Sequence, residues 1–232
     1  MTQLTPEAPA PRPDIDLVIR PATARDLPGI MAVEEDWPEE QRAPREKFES
    51  RLRLFPDGVL VAVVDDEIVG VTTSCLARYD VDRLEGFTSW DVATNDGWIT
   101  APDEIVGANA VYVVSTGIKQ SFRGLSIFPR LIGAQVELSR RLGLRYCVTG
   151  AILEGYGEHC REYGAIPAAG YAFLARHDGM YLDPLLRKLQ RVGFEIPDRQ
   201  HVLPEYFASE DAHDWSVLMV VDNAREDVEL DG

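Results

Sequence analysis

Apolar and polar positions along the chain follow two periods, and these periods predict an ordered series of strands and helices. Short apolar runs and period-two alternation predict strands, whereas apolar residues that recur every three or four positions predict helices. The predicted strands cover residues 17–20, 59–64, 68–76, a central run from 111, 145–150, 194–196 and 215–221. The predicted helices follow residue 23, cover 45–54 and 128–142, and begin again at 184.

Side-chain chemistry at the helix ends supports these positions. Thr23 is a suitable N-cap for the first helix, and Asp26 at the third helical position completes a capping-box-like start. Pro129 suits the first turn of the 128–142 helix, and Gly143 ends that helix. The expected apolar faces are Leu27, Ile30 and Met31 on the first helix, Phe48, Leu52 and Phe55 on the second, and Leu131, Ile132, Gln135, Leu138 and Leu142 on the third.

Several stretches lack a clear period. Residues 78–108 predict a long structured loop with room for a short helix, and both a functional loop and a simple insertion are compatible with it. Residues 154–179 predict one or two short helices, and residues 201–207 predict a loop. The Pro-rich residues 1–15 predict a disordered leader, and residues 223–232 predict a frayed acidic tail.

Composition indicates an ordinary globular core with an acidic surface. The chain has 232 residues, 45% of them apolar and 27% charged, and its formal net charge is −16. A single domain over residues 16–222 is therefore expected. A surface of this charge repels phosphate backbones and anionic lipids, so neither nucleic acid nor a membrane is an expected partner. No apolar run is long enough to span a membrane, and the N-terminus lacks a signal-peptide pattern.

The cysteines narrow the expected compartment. Cys75, Cys147 and Cys160 are odd in number and have no metal-like spacing, so no metal is expected. Free thiols are the default in a reducing environment. The sequence therefore predicts a cytoplasmic protein without a disulfide framework.

The stretch 111–132 has the pattern of a phosphate-binding turn. A buried strand leads into a short polar turn with Arg123 and Gly124, and a long amphipathic helix follows. Backbone N–H groups converge at such a helix N-terminus, and the helix dipole favours a negative ligand. On an acidic protein an anion site needs a local basic island, which Arg123 and Lys119 are expected to supply.

The element order resembles that of the GNAT superfamily, the GCN5-related N-acetyltransferases, over residues 17–221. Three segments carry the resemblance: 18–27, 118–131 joined to the strand that begins at 143, and 183–194. It implies a mixed α/β fold with a central, twisted, mostly antiparallel sheet of six to seven strands, splayed central strands and flanking helices. The segments Gly155-Tyr156, Asp183-Pro184, Gly193-Phe194 and 203–206 further resemble GNAT domains fused to nitrilase-like hydrolases or found in polyketide synthase loading modules.

The family motif after the central strand, Arg/Gln-x-x-Gly-x-Gly/Ala, binds the pyrophosphate of acyl-CoA through backbone amides. Residues 123–128 match it at Arg123 and Gly124, while Ser126 and Phe128 replace the usual small residues. The resemblance implies acetyl-CoA or another acyl-CoA as co-substrate, with its pantetheine arm beside the central strand. The implied cofactor-binding residues are Thr116, Gly117, Ile118, Lys119, Arg123, Gly124, Leu125, Ser126, Ile127 and Phe128.

Neighbouring positions extend this expectation. Gly117 either marks the bulge that opens the central strands or accommodates packing. Thr149 and Gly150 on the next strand are expected to face the acyl group. Ser115 and Thr116 either hold a water that relays a proton or satisfy buried neighbours.

Acyl transfer needs a base for the amine and an acid for the leaving thiol. The position that carries a Tyr in many GNAT enzymes corresponds to Leu189, which transfers no proton. The resemblance to decarboxylating loading modules implies a His at or beside this position, and its absence argues against that chemistry. Replacement groups are sought among Tyr163, Glu158 and His159, for each of which a surface role is the alternative. The aromatic residues Phe87, Trp90 and Trp98 either line an acceptor pocket or form a satellite core under the long loop.

These features predict an N-acyltransferase, most specifically an N-acetyltransferase, that moves an acyl group from CoA to a small amine by direct attack. Two alternatives stay open. One is a non-catalytic acyl-CoA or metabolite-binding module, suggested by Ser126, Phe128 and Leu189. The other is acyl loading or decarboxylation, which requires a carrier protein as partner. A homodimer is compatible with either.

Overall fold

The computed structural model describes residues 16–225, and the predictions for residues 1–15 and 226–232 lie outside the described residues. The strands are β1 (Leu17–Pro21), β2 (Val59–Val64), β3 (Glu67–Ala77), β4 (Ala110–Ile118), β5 (Tyr146–Ile152), β6 (Val202–Pro204) and β7 (Trp215–Asp222). The helices are α1 (Leu27–Glu34), α2 (Arg45–Leu54), α3 (Trp90–Thr94), α4 (Ile127–Arg141), α5 (Tyr156–Tyr163), α6 (Ala168–Tyr171) and α7 (Pro184–Gln190).

The strands form one seven-stranded sheet in the order β1-β2-β3-β4-β5-β7-β6. Every neighbouring pair is antiparallel except β4 and β5, which are parallel. The crossover between these two strands contains α4, as parallel pairs require. This confirms the expected mixed fold with a mostly antiparallel sheet and flanking helices.

The parallel strands β4 and β5 separate before they end. Their pairing runs from Ala110 with Tyr146 to Val113 with Thr149 and then stops, although both strands continue. In the pairing of β4 with β3, Thr73 is opposite Ser115 and Ser74 is opposite Val113, which leaves Val114 as the extra, bulged residue. A bulge bends a strand away from its neighbour. The splayed central strands expected from the sequence are therefore present.

Of the two interpretations of Gly117, a bulge or an accommodation of packing, the structure excludes the first because the bulge lies at Val114. Gly117 pairs regularly with Val71, so it does not mark the irregularity. A Cβ at this position would lie 2.8 Å from Trp37 Nε1 and 3.2 Å from Val33 Cγ1. The glycine therefore accommodates the packing of Trp37 against β4.

The helices cover both faces of the sheet. On one face α1 and α2 bury Ile30, Val33 and Phe48 against β2 and β3, and on the other α4 buries Leu131. The expected apolar faces are largely confirmed, with two exceptions. Leu142 is 41% exposed because it follows the end of α4, and the charged Arg51 is more deeply buried than its neighbour Leu52.

Two predictions for the end of the chain are wrong. Residues 194–196 form no strand and contribute only a bridge between Glu195 and Val220. Within residues 201–207, expected as a loop, β6 pairs with β7 from Val202 opposite Val217. Both segments lie along the same edge of β7, because its other edge is paired with β5. The long strand β7 thus pairs with two short segments along this edge. The local sequence pattern does not show which of the two segments becomes a strand.

Residues 78–108 fold over the α1–α2 side of the sheet, and we call this segment the insertion. Its base is closed by Asn109, whose side chain accepts from Tyr79 N and donates to Tyr79 O, both at 2.8 Å. Inside it, α3 begins at Ser89, whose hydroxyl accepts from Val92 N. The insertion is therefore an ordered cover with its own helix.

Candidate functional site

The turn between β4 and α4 presents unpaired backbone donors. A short 3₁₀ helix over Gln120–Phe122 leads into Gly124, whose φ is +86°, and Ser126, whose φ is +61°. Within residues 16–225, the N–H groups of Gly124, Leu125 and Ile127 have no hydrogen-bond acceptor. The first turn of a helix leaves such donors free, and the helix dipole adds positive potential there. The turn is therefore suited to bind an anion.

The two departures from the motif have different consequences. Ser126 adopts the left-handed conformation that glycine adopts freely, at a cost of about 1 kcal/mol for a residue with a side chain. Phe128 is half-buried and packs against the main core cluster. Its ring is therefore accommodated on the core side of α4. A Cβ at Gly124 would meet no atom within 4 Å, so the space beside the turn is open.

The turn carries less uncompensated positive charge than the sequence predicts from Arg123 and Lys119. Lys119 Nζ lies 2.6 Å from Glu67 Oε1, so its charge is largely compensated. Asp36 accepts from the Gln120 N–H and adds a negative charge beside the turn. Arg123 is exposed, and its side chain has no hydrogen-bond or ion-pair partner among the described residues. Arg123 is thus the cation of the turn that is available to a ligand.

Beyond the bulge, β4 has one free edge. Lys119 N donates to Val69 O, 2.9 Å away, so the backbone groups of Gly117 also face β3 by the alternation of a strand. Those of Thr116 and Ile118 consequently face the gap left by β5. No strand of the described chain pairs with them there. An extended ligand with amide groups can add to such an edge.

Aromatic side chains close the inner end of this gap. The Trp90 indole N–H donates to Val114 O, 2.9 Å away, and so occupies the carbonyl of the bulge. The hydroxyls of Tyr112 and Tyr206 lie 2.7 Å apart, and burial raises the pKa of both. A Cβ on Gly150 would lie 3.0 Å from the Tyr112 hydroxyl. The face of Gly150 expected to meet an acyl group is therefore covered by these phenols.

A buried cation, Arg51, lies on the face of the sheet that α1 and α2 cover. Arg51 is 1% exposed, its Nε donates to Gly97 O at 2.8 Å, and its Nη1 donates to Thr73 Oγ1 at 3.3 Å. Thr73 Oγ1 lies 2.8 Å from Ser115 Oγ. Burial lowers the pKa of Arg51 to about 10, with the nearby Glu34 charge acting in the opposite direction, so the guanidinium is protonated at neutral pH. Burial likewise raises the pKa of Glu34.

Solved structures share this architecture along nearly the whole chain. The loading GNATL domain of CurA from Lyngbya majuscula superposes with a TM-score of 0.70 at 21% identity, over 90% of this chain and 98% of that domain. The GphF GNAT-like decarboxylase, solved with isobutyryl-CoA, gives 0.69 at 22% identity, over 88% of this chain and 98% of that chain. The chain has the GNAT fold.

Two Bacillus subtilis proteins are similar in sequence to this GNAT-fold chain. "Uncharacterized N-acetyltransferase YkwB" is 25% identical over 88% of this chain and 87% of its own length. "Probable hydrolase YhcX" is 28% identical over 84% of this chain, which spans only 36% of that protein. No protein-family model matches the chain.

The three residues predicted to transfer protons lie on α5, which follows β5 in this GNAT fold. The His159 ring centroid is 5.0 Å from that of Tyr163 and 5.1 Å from that of Tyr171. Tyr163 is 70% exposed, and its hydrogen bond to Glu162 raises its pKa. Glu158 is exposed. The structure brings His159 and Tyr163 together, and catalytic roles for all three stay predictions.

Other expected site residues are dispersed. Leu189, at the position of the usual GNAT tyrosine, is buried in the main core cluster. Phe87 packs on Tyr112, and Trp90 on Phe207, with centroids 5.7 and 6.4 Å apart. Trp98 is 40% exposed beneath Lys47, so the three aromatic residues do not line one pocket.

The residues that sequence reasoning missed are Arg51, Thr73, Tyr112 and Tyr206. Arg51 had a local signal, because it follows Phe48 by three positions on the buried side of α2. The two tyrosines had none, since 94 positions separate them and only the fold brings their hydroxyls together.

Two kinds of feature are absent from residues 16–225. No group of three or more His, Cys, Asp or Glu side chains is arranged to hold a metal ion in that range. Among the helices described there, none is long and apolar enough to cross a membrane.

Proposed function

We propose that this protein is an acyl-CoA-dependent acyltransferase, and specifically an N-acetyltransferase that moves an acetyl or short acyl group to a small amine. One observation carries the proposal: the free edge of β4 runs directly into a turn at the start of α4 in which the N–H groups of Gly124, Leu125 and Ile127 have no acceptor among the described residues. An acyl-CoA offers matching groups, with two amides along its pantetheine arm and a pyrophosphate at the far end of that arm.

The site residues divide the binding between them. Thr116 and Ile118 would pair their backbone groups with the arm of the acyl-CoA. Gly124, Leu125 and Ile127 would donate their N–H groups to the pyrophosphate, with Arg123 as a neighbouring cation. Among proteins of similar fold, the GphF decarboxylase was solved with isobutyryl-CoA and the Salmonella typhimurium yncA protein with acetyl-CoA. These structures support the choice of ligand.

Direct attack by the amine suits this arrangement. The amine nitrogen bonds to the acyl carbon, the carbon–sulfur bond breaks, and the proton lost by the amine matches the one gained by the thiol. Because the Leu189 side chain cannot donate or accept a proton, other groups must take the proton from the amine and deliver one to the thiol. Tyr163, Glu158 and His159 are retained as candidates, and the homodimer and cytoplasmic location stay predictions.

Titration calorimetry with acetyl-CoA tests the proposal. We expect saturable binding that Arg123→Ala weakens about tenfold, because a charge-assisted contact to phosphate is lost. Arg141→Ala is the matched control, since Arg141 is an exposed arginine at the opposite end of α4. Absence of binding by the wild-type protein would refute the proposal. Binding without thiol release across a panel of amines would indicate the non-catalytic module instead.

A second function is favoured by the closed inner end of the site. Trp90 and the tyrosine pair close the inner end of the gap, and the two superposed structures are a loading domain and a decarboxylase. Acyl loading on a carrier protein, preceded by decarboxylation, is therefore the alternative. Mass spectrometry after incubation with malonyl-CoA separates the two, because only a decarboxylase converts it to acetyl-CoA.

A further inference from the structure

The chain of groups from Arg51 through Thr73 to Ser115 has a fixed direction. A guanidinium has no lone pair to accept with, so Arg51 Nη1 donates to Thr73 Oγ1. Thr73 is fully buried, and Ser115 Oγ, 2.8 Å away, is the one acceptor that the described residues offer to its hydrogen, so we assign the Thr73 hydroxyl as the donor to Ser115. Ser115 Oγ accepts that bond, which leaves the Ser115 hydrogen for another acceptor. Among the described residues, no second partner of Ser115 Oγ takes it.

This hydroxyl lies where the open edge of the central strand begins. Ser115 directly follows the bulged Val114 and precedes Thr116, whose backbone faces the gap. It is half-buried, whereas Thr73 and Arg51 are 0% and 1% exposed. The series of hydrogen bonds thus connects a fully buried positive charge to a half-buried hydroxyl next to the open edge of β4.

The buried charge lacks an anionic partner in the described part of the chain. No carboxylate of residues 16–225 lies within the 4.0 Å of an ion pair with Arg51. The hydrogen bond from Arg51 Nε to Gly97 O anchors the insertion to α2. The contact with Thr73 does not serve that anchor. The charge of the buried Glu34 acts on Arg51 from beyond ion-pair distance, so the hydrogen bonds to Gly97 and Thr73 are the direct contacts that stabilise the buried guanidinium.

We propose that Ser115 donates its hydroxyl hydrogen to the acyl carbonyl oxygen of the bound substrate, and that Arg51, acting through Thr73, polarises this donor. The inference rests on the proposed acyl transfer. The carbonyl oxygen gains negative charge as the acyl carbon is attacked, and a preorganised donor stabilises it. Ser115 loses no atom in this step. In this arrangement Ser115 acts as a donor through its own hydroxyl hydrogen rather than as a proton-accepting relay.

A pair of non-reactive ligands isolates the charge preference. S-carboxymethyl-CoA carries a carboxylate one bond further from sulfur than the thioester oxygen, and S-carbamoylmethyl-CoA is its neutral isostere. We expect the wild-type protein to bind the anion roughly tenfold more tightly in titration calorimetry at 150 mM salt, because charged hydrogen bonds are about twice as strong as neutral ones. The acidic surface opposes this preference, so general electrostatics do not produce it.

Three variants separate the donor chain from simple packing. Ser115→Ala removes the donor, and Thr73→Val cuts the chain while it leaves Arg51 and its contact with Gly97 in place. In both, the preference is expected to fall to about twofold or less. Thr72→Val is the control, since Thr72 is an equally buried neighbour whose hydroxyl contacts Thr116 Oγ1 and the backbone carbonyl of Ser115 but not the Ser115 hydroxyl. It should keep the full preference.

Every outcome decides the proposal. Loss of the preference in Ser115→Ala and Thr73→Val but not in Thr72→Val supports it. Equal binding of the two analogues by the wild-type protein, or an unchanged ratio in Thr73→Val, overturns it and leaves acyl-CoA binding intact. If acetyl-CoA and both analogues all fail to bind, the proposed function itself is wrong, and this inference fails with it.

Discussion

Gly150 occupies the most crowded point of the site, where β4 and β5 separate. A Cβ there would lie 2.6 Å from Tyr206 Cε1 and 2.9 Å from Phe207 Cε2. Gly150→Ala therefore forces the buried Tyr206 ring and the half-buried Phe207 ring to move, and we expect the free energy of unfolding to fall by about 1–3 kcal/mol. Urea denaturation measures this change.

The control for that substitution is Gly133→Ala in the interior of α4. The nearest atom to a Cβ at Gly133 is Val192 Cγ1 at 3.8 Å, so no side chain has to move. Alanine favours a helix interior over glycine by about 1 kcal/mol, and this variant should be more stable than the wild-type protein. A similar loss in both variants would show that crowding at Gly150 is not the cause.

Asp26 gives the protein a stability that depends on pH. Arg20 donates two hydrogen bonds to its carboxylate, at 2.8 and 2.7 Å, and Thr23 N donates a third. These bonds, led by those from Arg20, lower the pKa of Asp26 in the folded protein. A lowered pKa stabilises the fold above the unfolded value of 3.8, and the stabilisation is lost as pH falls through the folded value.

Asp26→Asn should therefore lower the free energy of unfolding at pH 7 by about 1 kcal/mol, a figure discounted because Arg20 is partly exposed. The difference from the wild-type protein should shrink as the pH falls below 3.8. Denaturation at pH 7 and pH 3 measures it. Glu49→Gln serves as control, because Glu49 forms an exposed ion pair with Arg45 and should matter little at either pH.

At the scale of elements, the insertion is fastened to the site by Trp90. Its indole donates to Val114 O, and its backbone N–H donates to Tyr206 O at 3.1 Å. Trp90→Phe removes the first bond and should weaken local closure of the insertion by about 1 kcal/mol. Faster amide exchange in α3 would report this opening. Trp98→Phe should leave exchange in α3 unchanged, since Trp98 is 40% exposed and lies near Lys47.

Elements with a strong local period were predictable, and elements defined by a distant partner were not. The bounds of α2 and β2 agree with the predicted ranges 45–54 and 59–64, because their apolar residues repeat regularly. In contrast, β6 forms because Val202 pairs with Val217 along the edge of β7 that β5 does not occupy. A three-residue segment has no period of its own, so the partner decides its structure.

The candidate site shows the same limit. The turn at Arg123 and Gly124 was found from sequence because a strand, a glycine and a helix are adjacent there. The charge balance of this turn was not predictable from sequence, because Glu67 and Asp36 contact the turn from other parts of the chain. The network from Arg51 to Ser115 likewise joins α2, β3 and β4, and 64 positions separate its ends.

At the scale of the whole molecule, an anion site has to operate on a strongly acidic protein. The net charge of −16 repels a CoA at a distance, so the proposed binding would depend on short-range donors in the turn and along β4. The described chain supplies these as backbone N–H groups, with Arg123 as the added cation. The account therefore predicts that a ligand contacts a few specific amides rather than a broad basic surface.

Amide chemical shifts during titration with acetyl-CoA test this central claim most directly. We expect the largest saturable changes at Gly124, Leu125 and Ile127, together with Thr116 and Ile118 on the free edge of β4. Changes confined to other parts of the chain, or none at saturating ligand, would contradict the account.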